Sequence, residues 1–364
     1  MTTLGVGGSA RRFVRAATEA ELAEALAWAT ARGEATFILG GGSNLVIADD
    51  GIDALVIAVG LRGISVHPGA DGRTTMRVAA GEPWDDVVAR AADENLAGIE
   101  CLSGIPGLTG ATPIQNVGAY GQEVADVITR VSVVERATGA RSDLDPEACA
   151  FSYRDSAFKR GWAGRFVVTS IDLSLRAGAP DEPRYAELAR AMASEPKTIA
   201  ATRAKVIELR VAKAMVHGRG GSDNQSAGSF FMNPIVPVEL ASRVEERAKA
   251  IGALAATDSM PRFAASSGTV KLAAGWLIER AGFKKGTARD TVGLSSKHAL
   301  AIVNRGGATA NDVVSFARWI RDGVEERFGV RLVPEPELVG FRSQDIADLR
   351  PQASSPHKTT TPAA

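Results

Sequence analysis

The first half of the chain alternates short apolar segments typical of β-strands with few helices. Thr18 and Glu21 have the spacing of a capping box, in which a hydroxyl and a carboxylate satisfy the first amides of a helix. Leu22 and Leu26 then recur at helical spacing, and Gly33 is suited to end the helix. The pattern further predicts a helix from Trp84 to Glu94 and strands over Ala54–Val59, Ile64–Val66, Thr74–Val78, Arg130–Glu135 and Phe166–Leu175.

The second half of the chain is richer in helix-forming residues. The segment from Ala186 to Met215 is rich in Ala, Arg, Glu and Lys and predicts helix. A buried strand is predicted over His298–Asn304. Further helices are predicted over Val270–Ala281 and from Ala310 to Phe328, the latter capped by Thr309 or Asn311 and followed by Gly329.

This change in composition predicts a division of the chain into domains near residue 205. Residues 1–205 are expected to form one region of two subdomains, split near residue 66, and residues 206–341 a smaller domain. Residues 342–364 have little to bury and are expected to be a disordered tail.

Two glycine-rich loops carry the strongest functional signal. The first is Gly40-Gly41-Gly42-Ser43-Asn44, and the second extends from Gly104 to Gly121. Glycine lets backbone N–H groups approach a ligand closely, and consecutive amides of this kind bind anions. The first loop leads into another strand rather than a helix, which disfavours the common dinucleotide-binding fold. Two such loops predict a large phosphate-bearing ligand, although a surface turn between strands remains the alternative for the first.

Composition and charge exclude several functions. The chain has 364 residues, with 42 Lys plus Arg and 42 Asp plus Glu, so its formal net charge is zero. This balance gives no support to a nucleic-acid or membrane-surface role. Two cysteines and four scattered histidines show no metal-ligand spacing. With no secretory signal and no apolar segment long enough to span a membrane, a reduced, cytoplasmic location is expected.

Three further motifs combine apolar and reactive residues. Arg154, within Phe151–Lys159, has a guanidinium suited to developing negative charge, although a surface ion pair is the simpler interpretation. Ser229, within Ala227–Pro234, is not in a nucleophile elbow but can serve as a proton donor, or it can cap a turn. Pro334-Glu335-Pro336-Glu337 is either a stiff edge or a rigid support for a carboxylate.

In combination, these motifs resemble the UDP-N-acetylenolpyruvoylglucosamine reductase family over nearly everything from Thr3 to Phe341. The resemblance implies an α+β protein: a vanillyl-alcohol-oxidase-like FAD-binding region followed by a smaller α+β substrate-binding domain. It implies an NADPH-dependent flavoenzyme that reduces UDP-N-acetylglucosamine enolpyruvate to UDP-N-acetylmuramate in peptidoglycan precursor synthesis. The partner implied is a UDP-linked amino sugar, with no nucleic acid and no membrane, and a monomer is expected.

The resemblance also implies roles for individual residues. Ser229 would protonate the substrate carbanion after hydride arrives from the reduced flavin, while Arg154 and Glu337 would stabilise or help to protonate the intermediate. Residues implied to contact substrate are Tyr185, Lys213, Asn233 and Lys271. Residues implied to hold FAD are Gly40, Gly41, Gly42, Ser43, Asn44, Ile105, Pro106, Gly107, Gly110, Gln115, Asn116, Gly118, Ala119 and Tyr120.

Glu335 and Glu337 lie two apart, so strand alternation cannot choose between them. Because Glu337 leads into Leu338-Val339, we expect it near buried surface, and Glu335 toward solvent or a neighbouring basic group. The Gly40–Asn44 loop has no His or Cys, so FAD is expected to bind non-covalently. An FAD-dependent oxidase or dehydrogenase of the same fold acting on a small hydroxy acid is the alternative function. A non-catalytic flavin or nucleotide sensor would not need Arg154, Ser229 and Glu337 together.

Overall fold

A three-stranded parallel sheet begins the fold, in a computed structural model that describes residues 2–69, 72–219 and 221–350. Its central strand pairs with the other two, and helix α1 packs on it through Leu22 and Leu26. The Thr18 hydroxyl accepts from the Glu21 amide, which confirms the predicted cap. The first elements are β1 (Ala10–Ala16), α1 (Glu19–Ala31), β2 (Thr36–Leu39), β3 (Leu45–Ile47) and β4 (Ile52–Val59), with β4 at the centre of the sheet.

A second, antiparallel sheet follows and contains a larger hydrophobic core than the first. Its order is β11-β10-β12-β6-β5, with β7 paired to the end of β12, and the elements of this part of the chain are β5 (Ile64–Pro68), β6 (Thr74–Ala79), α2 (Trp84–Asp93), β7 (Leu96–Ala97), α3 (Thr112–Gln115), β8 (Gly118–Ala119), β9 (Gln122–Glu123), β10 (Ile128–Glu135), β11 (Arg141–Leu144), α4 (Pro146–Cys149) and β12 (Phe166–Ala177). Val87, Ile171 and Leu173 are fully buried between α2 and this sheet.

The segment predicted as helix from Ala186 to Met215 forms two helices, α5 (Ala186–Ala191) and α6 (Ile199–Ala212). Pro196 lies between them, where a proline cannot continue a helix, and the Thr198 hydroxyl caps α6. Residue 205 lies inside α6, and Arg203 of this helix pairs with Asp85 of α2. The division into domains near residue 205 therefore stays a prediction.

The C-terminal part contains two small antiparallel sheets packed against helices. The sheet orders are β13-β19-β18-β17 and β14-β16-β15, and the core contains Phe230, Phe231, Leu277 and Phe316. The elements are β13 (Ser226–Ser229), β14 (Ile235–Pro237), α7 (Val238–Ala250), β15 (Arg262–Ala264), β16 (Thr269–Leu272), α8 (Ala274–Arg280), β17 (Ala288–Arg289), β18 (Val292–Leu294), β19 (Ala301–Asn304), α9 (Ala310–Phe328), β20 (Glu337–Val339) and α10 (Ser343–Ile346).

Two expectations for this part are wrong and one is confirmed. Residues 270–272 belong to strand β16, so the predicted helix begins only at Ala274; Val270 pairs with Val236 of β14. Helix α9 has the predicted bounds, with a Thr309 capping box. Disorder is the wrong prediction for residues 343–349, because Asp348 forms ion pairs with arginines of α9. Residues 351–364 of the expected tail lie outside the described residues.

Contacts between the two ends of the chain position the site. Strand β20 pairs in parallel with β3, so that Glu337 lies opposite Leu45. Near the N-terminus, the Thr3 amide donates to the Gly42 carbonyl (3.1 Å) and the Thr3 hydroxyl donates to the Ser226 carbonyl (2.7 Å). The first glycine loop is thereby joined to both the beginning and the end of the C-terminal part.

Candidate active site

The two glycine-rich loops lie in direct contact. The Ser43 hydroxyl donates to the Pro106 carbonyl at 3.2 Å. A Cβ on Gly41 would lie 2.8 Å from the Gly107 Cα, and Gly107 has φ of +119°, so the contact requires glycine at both positions. The loops that the sequence identifies separately therefore form one continuous wall.

The beginning of helix α2 holds the second loop in place. The Trp84 amide donates to the Gly107 carbonyl at 3.0 Å, and the Gly104 amide donates to an Asp85 oxygen at 2.6 Å. Arg203 makes two hydrogen bonds to Asp85, at 2.6 and 3.0 Å. Burial raises the pKa of Asp85, but these donors outweigh it and keep the pKa below its usual value. Asp85 is thus charged and fixes the loop to α2 and α6.

Both loops line a cleft of about 170 Å³ that opens to solvent. Two buried donors in its wall, the Trp84 indole Nε1 and the Arg210 Nε, have no hydrogen-bond partner within the part of the chain that the structure describes. Burial lowers the pKa of Arg210 to about 10, so the group remains cationic. The lining includes Ser43, Asn44, Trp84, Ile105, Pro106, Gly107, Gln115, Gly118, Arg154, Arg210, Ser229 and Glu335.

Arg154 is held at the end of the second loop by three contacts. Its guanidinium donates to the carbonyls of Gly118 (2.7 Å) and Asn116 (3.4 Å), and its Nε lies 3.0 Å from a carboxylate oxygen of Glu335. Its backbone has φ of +56°, a strained conformation for a residue with a side chain. The surrounding structure therefore fixes one orientation of this cation in the cleft.

Ser229 enters the same cleft from the C-terminal part. It is the last residue of β13 and lies opposite Ala301 of β19, while the next amide, that of Phe230, donates to the Leu300 carbonyl at 2.7 Å. Its side chain is half-buried and lines the cleft with Arg154. A cation and a neutral hydroxyl from different parts of the chain thus face one space.

The two glutamates differ in their exposure to solvent. Glu335 is largely buried, with 18% of its side chain exposed, and pairs with Arg154 in the cleft. Glu337 is exposed at the start of β20, where its amide donates to the Asn44 carbonyl at 3.0 Å. Of the two surroundings expected for Glu335, the structure shows a basic group, Arg154, and not solvent, whereas Glu337 is itself exposed although it leads into the buried Val339.

Both carboxyls nevertheless have raised pKa values. Burial raises the pKa of Glu335, against the opposing effect of Arg154 and Lys159. Crowding by surrounding protein also raises the pKa of Glu337, although its side chain reaches solvent, and Lys159 again acts in the opposite direction. Each group is therefore easier to protonate than an ordinary surface carboxylate.

The residues implied to contact substrate form two clusters. Tyr185 packs edge-on against Tyr120 with ring centroids 5.8 Å apart, and the Lys213 Nζ lies 5.7 Å from the Tyr120 ring. In the second cluster, the Lys271 Nζ lies 4.1 Å above the Tyr153 ring. Asn233 accepts a hydrogen bond from the Ala274 amide at 2.9 Å, so its side chain also caps the start of α8.

Some residues implied to hold FAD do not line the cleft but support its wall. Asn116 is buried, donates to Glu123 and the Ser152 carbonyl, and accepts from the Ala125 amide. A Cβ on Gly110 would lie 2.7 Å from the Ala80 Cβ, so this glycine permits close packing. The others outside the lining are Gly40, Gly41, Gly42, Ala119 and Tyr120.

Sequence reasoning missed Trp84, Asp85 and Arg210. Trp84 had a detectable signal, because it places an indole N–H at the start of a predicted helix, where the chain leaves Gly81-Glu82-Pro83. Asp85 and Arg210 lie on helices with ordinary amphipathic patterns, and only the folded contacts bring them to the cleft.

Comparisons with known proteins identify the family. A model of the C-terminal domain of UDP-N-acetylenolpyruvoylglucosamine reductase matches residues 221–339, and an FAD binding domain model matches residues 10–145. The reductase of Salinispora arenicola is 46% identical over 345 residues, covering 93% of each chain. The chain belongs to the UDP-N-acetylenolpyruvoylglucosamine reductase family. The reductase of Nocardia farcinica is 47% identical over 348 residues, covering 94% of this chain and 88% of the relative.

Membership of the reductase family, together with the FAD binding domain, makes the protein an FAD-dependent oxidoreductase. The crystal structure of the Thermus caldophilus reductase matches with a TM-score of 0.62 and 27% identity, covering 93% of this chain and 95% of that one. The predicted fold class, a vanillyl-alcohol-oxidase-like FAD-binding region followed by an α+β domain, is confirmed.

The glycine contact and the two unpaired donors fit an FAD group, which needs close backbone approach and hydrogen-bond donors. Within residues 2–69, 72–219 and 221–350, no helix has the length and apolar character required to cross a membrane. The same residues contain no group of three or more His, Cys, Asp or Glu side chains placed to hold a metal ion.

Proposed function

We propose that this reductase converts UDP-N-acetylglucosamine enolpyruvate to UDP-N-acetylmuramate for peptidoglycan synthesis, with NADPH as hydride donor. The observation that carries the proposal is that Arg154 and Ser229 line the same cleft as the two glycine-rich loops. FAD held by the two glycine-rich loops would supply the hydride-transfer chemistry between NADPH and the substrate. The remaining parts of the reaction depend on how residues of the chain bind, orient and protonate the substrate.

Arg154 is proposed to stabilise the reacting carboxylate. Hydride addition to one alkene carbon moves negative charge through the other carbon into the conjugated carboxylate, where a fixed guanidinium lowers the barrier. The ion pair with Glu335 keeps that guanidinium in place before substrate arrives. Glu335 is therefore a positioning residue in this proposal.

Ser229 is proposed to donate the proton that completes the reduction. Its hydroxyl is neutral, so it adds no charge beside the developing carbanion, and its strand fixes its position opposite Ala301. Glu337 is proposed to help deliver that proton. Its match to the family motif, its raised pKa and its contact with solvent support a group that exchanges protons with water.

Substrate is proposed to be held by the two clusters beside the cleft. Lys213 and Asn233 would contact the diphosphate, Tyr185 would cover the nucleotide, and Lys271 would contact the UDP-sugar. The cofactor-binding assignments of the two loops, Gly40 to Asn44 and Ile105 to Tyr120, are retained as wall and lining of the FAD site. The division near residue 205 and a monomeric, cytoplasmic enzyme are proposed on the sequence arguments alone.

FAD is proposed to bind non-covalently. Among the described residues that line the cleft there is no His or Cys, the residue types that link flavin covalently in proteins of this fold. Acid precipitation should therefore release all yellow colour to the supernatant. Colour that stays with the precipitated protein would contradict the proposal.

Anaerobic half-reactions test the function as a whole. NADPH should bleach the flavin spectrum of the purified protein, and UDP-N-acetylglucosamine enolpyruvate should restore it while UDP-N-acetylmuramate forms. If a small hydroxy acid reduces the flavin and the enolpyruvyl substrate fails to reoxidise it, the protein is an oxidase or dehydrogenase of the same fold instead.

A further inference from the structure

Lys213 is neutralised by a carboxylate in this structure. Its Nζ lies 2.5 Å from an Oε2 of Glu187, and both side chains are 31% exposed. Lys213 directly follows the last residue of α6, whereas Glu187 lies in the first turn of α5. The ion pair therefore joins two separate helices beside the Tyr120 and Tyr185 rings.

The surroundings of this ion pair are strongly cationic. Burial, together with Lys213, Lys285 and Arg210, lowers the pKa of His298 to about 4, whereas Glu187 acts in the opposite direction. The imidazole is therefore neutral at physiological pH. Glu187 supplies the compensating negative charge in a place that otherwise attracts an anion.

We propose that Glu187 competes with the substrate's diphosphate for Lys213 and so sets the affinity for nucleotide ligands. The inference rests on the proposed function, because that proposal assigns Lys213 to the diphosphate. A carboxylate and a diphosphate that share one ammonium group repel each other, so the ligand must displace Glu187. Glu187 lies two residues after Tyr185, and its displacement therefore moves the segment proposed to cover the nucleotide.

Displacing Glu187 from Lys213 therefore costs the same binding free energy for substrate, product and free UDP. Such a uniform term raises the dissociation constant of each ligand without altering the step at Arg154 and Ser229. Ligands with further contacts in the cleft remain bound, while UDP alone binds weakly. Product also dissociates faster than it would if no carboxylate paired with Lys213.

The test measures UDP binding to the FAD-loaded enzyme by isothermal titration calorimetry. Glu187→Gln keeps the side-chain volume and removes the charge. We expect the dissociation constant for UDP to fall about three- to tenfold, and the gain to shrink at high salt. The rate of flavin reoxidation at saturating enolpyruvyl substrate should stay unchanged. The matched control is Glu208→Gln, which breaks the ion pair between Glu208 and Lys205 (2.8 Å), both on α6. It should leave UDP affinity unaltered.

Two results would overturn the inference. Unchanged or weaker UDP binding in Glu187→Gln would mean that Glu187 holds Lys213 in place instead of competing for it. Lys213→Ala distinguishes this failure from failure of the proposed function. If Lys213→Ala weakens UDP binding, the diphosphate assignment survives whatever Glu187 does; if it leaves UDP binding unchanged, the assignment and the competition are both wrong.

Discussion

Replacing Trp84 by phenylalanine tests whether the unpaired indole N–H in the cleft serves the cofactor. A buried donor without a partner costs about 1–3 kcal/mol, and phenylalanine removes that cost. The smaller ring also loses packing worth about 1–2 kcal/mol. The two terms oppose each other in the apoprotein, so its free energy of unfolding should change by no more than about 2 kcal/mol.

The FAD-bound form of the same variant should behave differently. A hydrogen bond from Nε1 to FAD contributes about 0.5–1.5 kcal/mol net, so its loss raises the dissociation constant for FAD about two- to thirteenfold. Fluorescence titration of the apoprotein with FAD measures this constant, and urea unfolding of both forms measures stability. Trp276→Phe, in the C-terminal part, is the control and should lose similar stability with and without FAD. Unchanged FAD affinity in Trp84→Phe would refute the reasoning.

Three further predictions concern catalysis and stability. Ser229→Ala should leave flavin reduction by NADPH intact and slow reoxidation by substrate about 100- to 10,000-fold; equal slowing of both half-reactions would make Ser229 structural. Glu337→Gln should slow reoxidation steeply at unchanged FAD content, whereas Glu335→Gln should slow it only mildly, because Arg154 keeps its bonds to the Gly118 and Asn116 carbonyls; the reverse ranking in single-turnover experiments would exchange the two roles. The arginine partners hold the pKa of Asp348 well below its usual range, so Asp348→Asn should lower the free energy of unfolding by about 1 kcal/mol at pH 7. This difference should begin to shrink as pH falls below the unfolded-state pKa of about 4 and vanish only below the lower folded-state pKa; a difference that does not change with pH would show that charge is not its cause.

Local signals predicted much of the fold. The Thr309 cap, the regular apolar spacing and Gly329 are all contained within a short stretch, and helix α9 has the predicted bounds. The prediction of helix for residues 270–272 is wrong for a related reason. Its apolar residues suit either a strand or a buried helix, and only the pairing of Val270 with Val236, far away in sequence, decides for a strand.

The same difference between local and long-range signals applies to the residues of the site. The glycine loops were visible because glycine itself marks close backbone approach, as at Gly41 and Gly107. The orientations of Glu335 and Glu337 could not be predicted in this way, because they depend on pairing between β20 and β3. These strands are distant in sequence: the Asn44 side chain donates to the carbonyl of Glu335, which lies 291 residues later. Arg210 reaches the cleft through packing of a helix that carries no local sign of it.

The pairing of β20 with β3 also makes the first glycine-rich loop depend on a segment that is synthesised late. Residues 10–145 match an FAD binding domain, yet the Asn44 carbonyl in the first glycine loop is bonded to the Glu337 amide. A ribosome releases the N-terminal region long before it has polymerised residue 337. A nascent chain, or one truncated before residue 337, therefore lacks the contact that joins the first glycine-rich loop to β20. The loop can reach the arrangement described above only after residue 337 has been made.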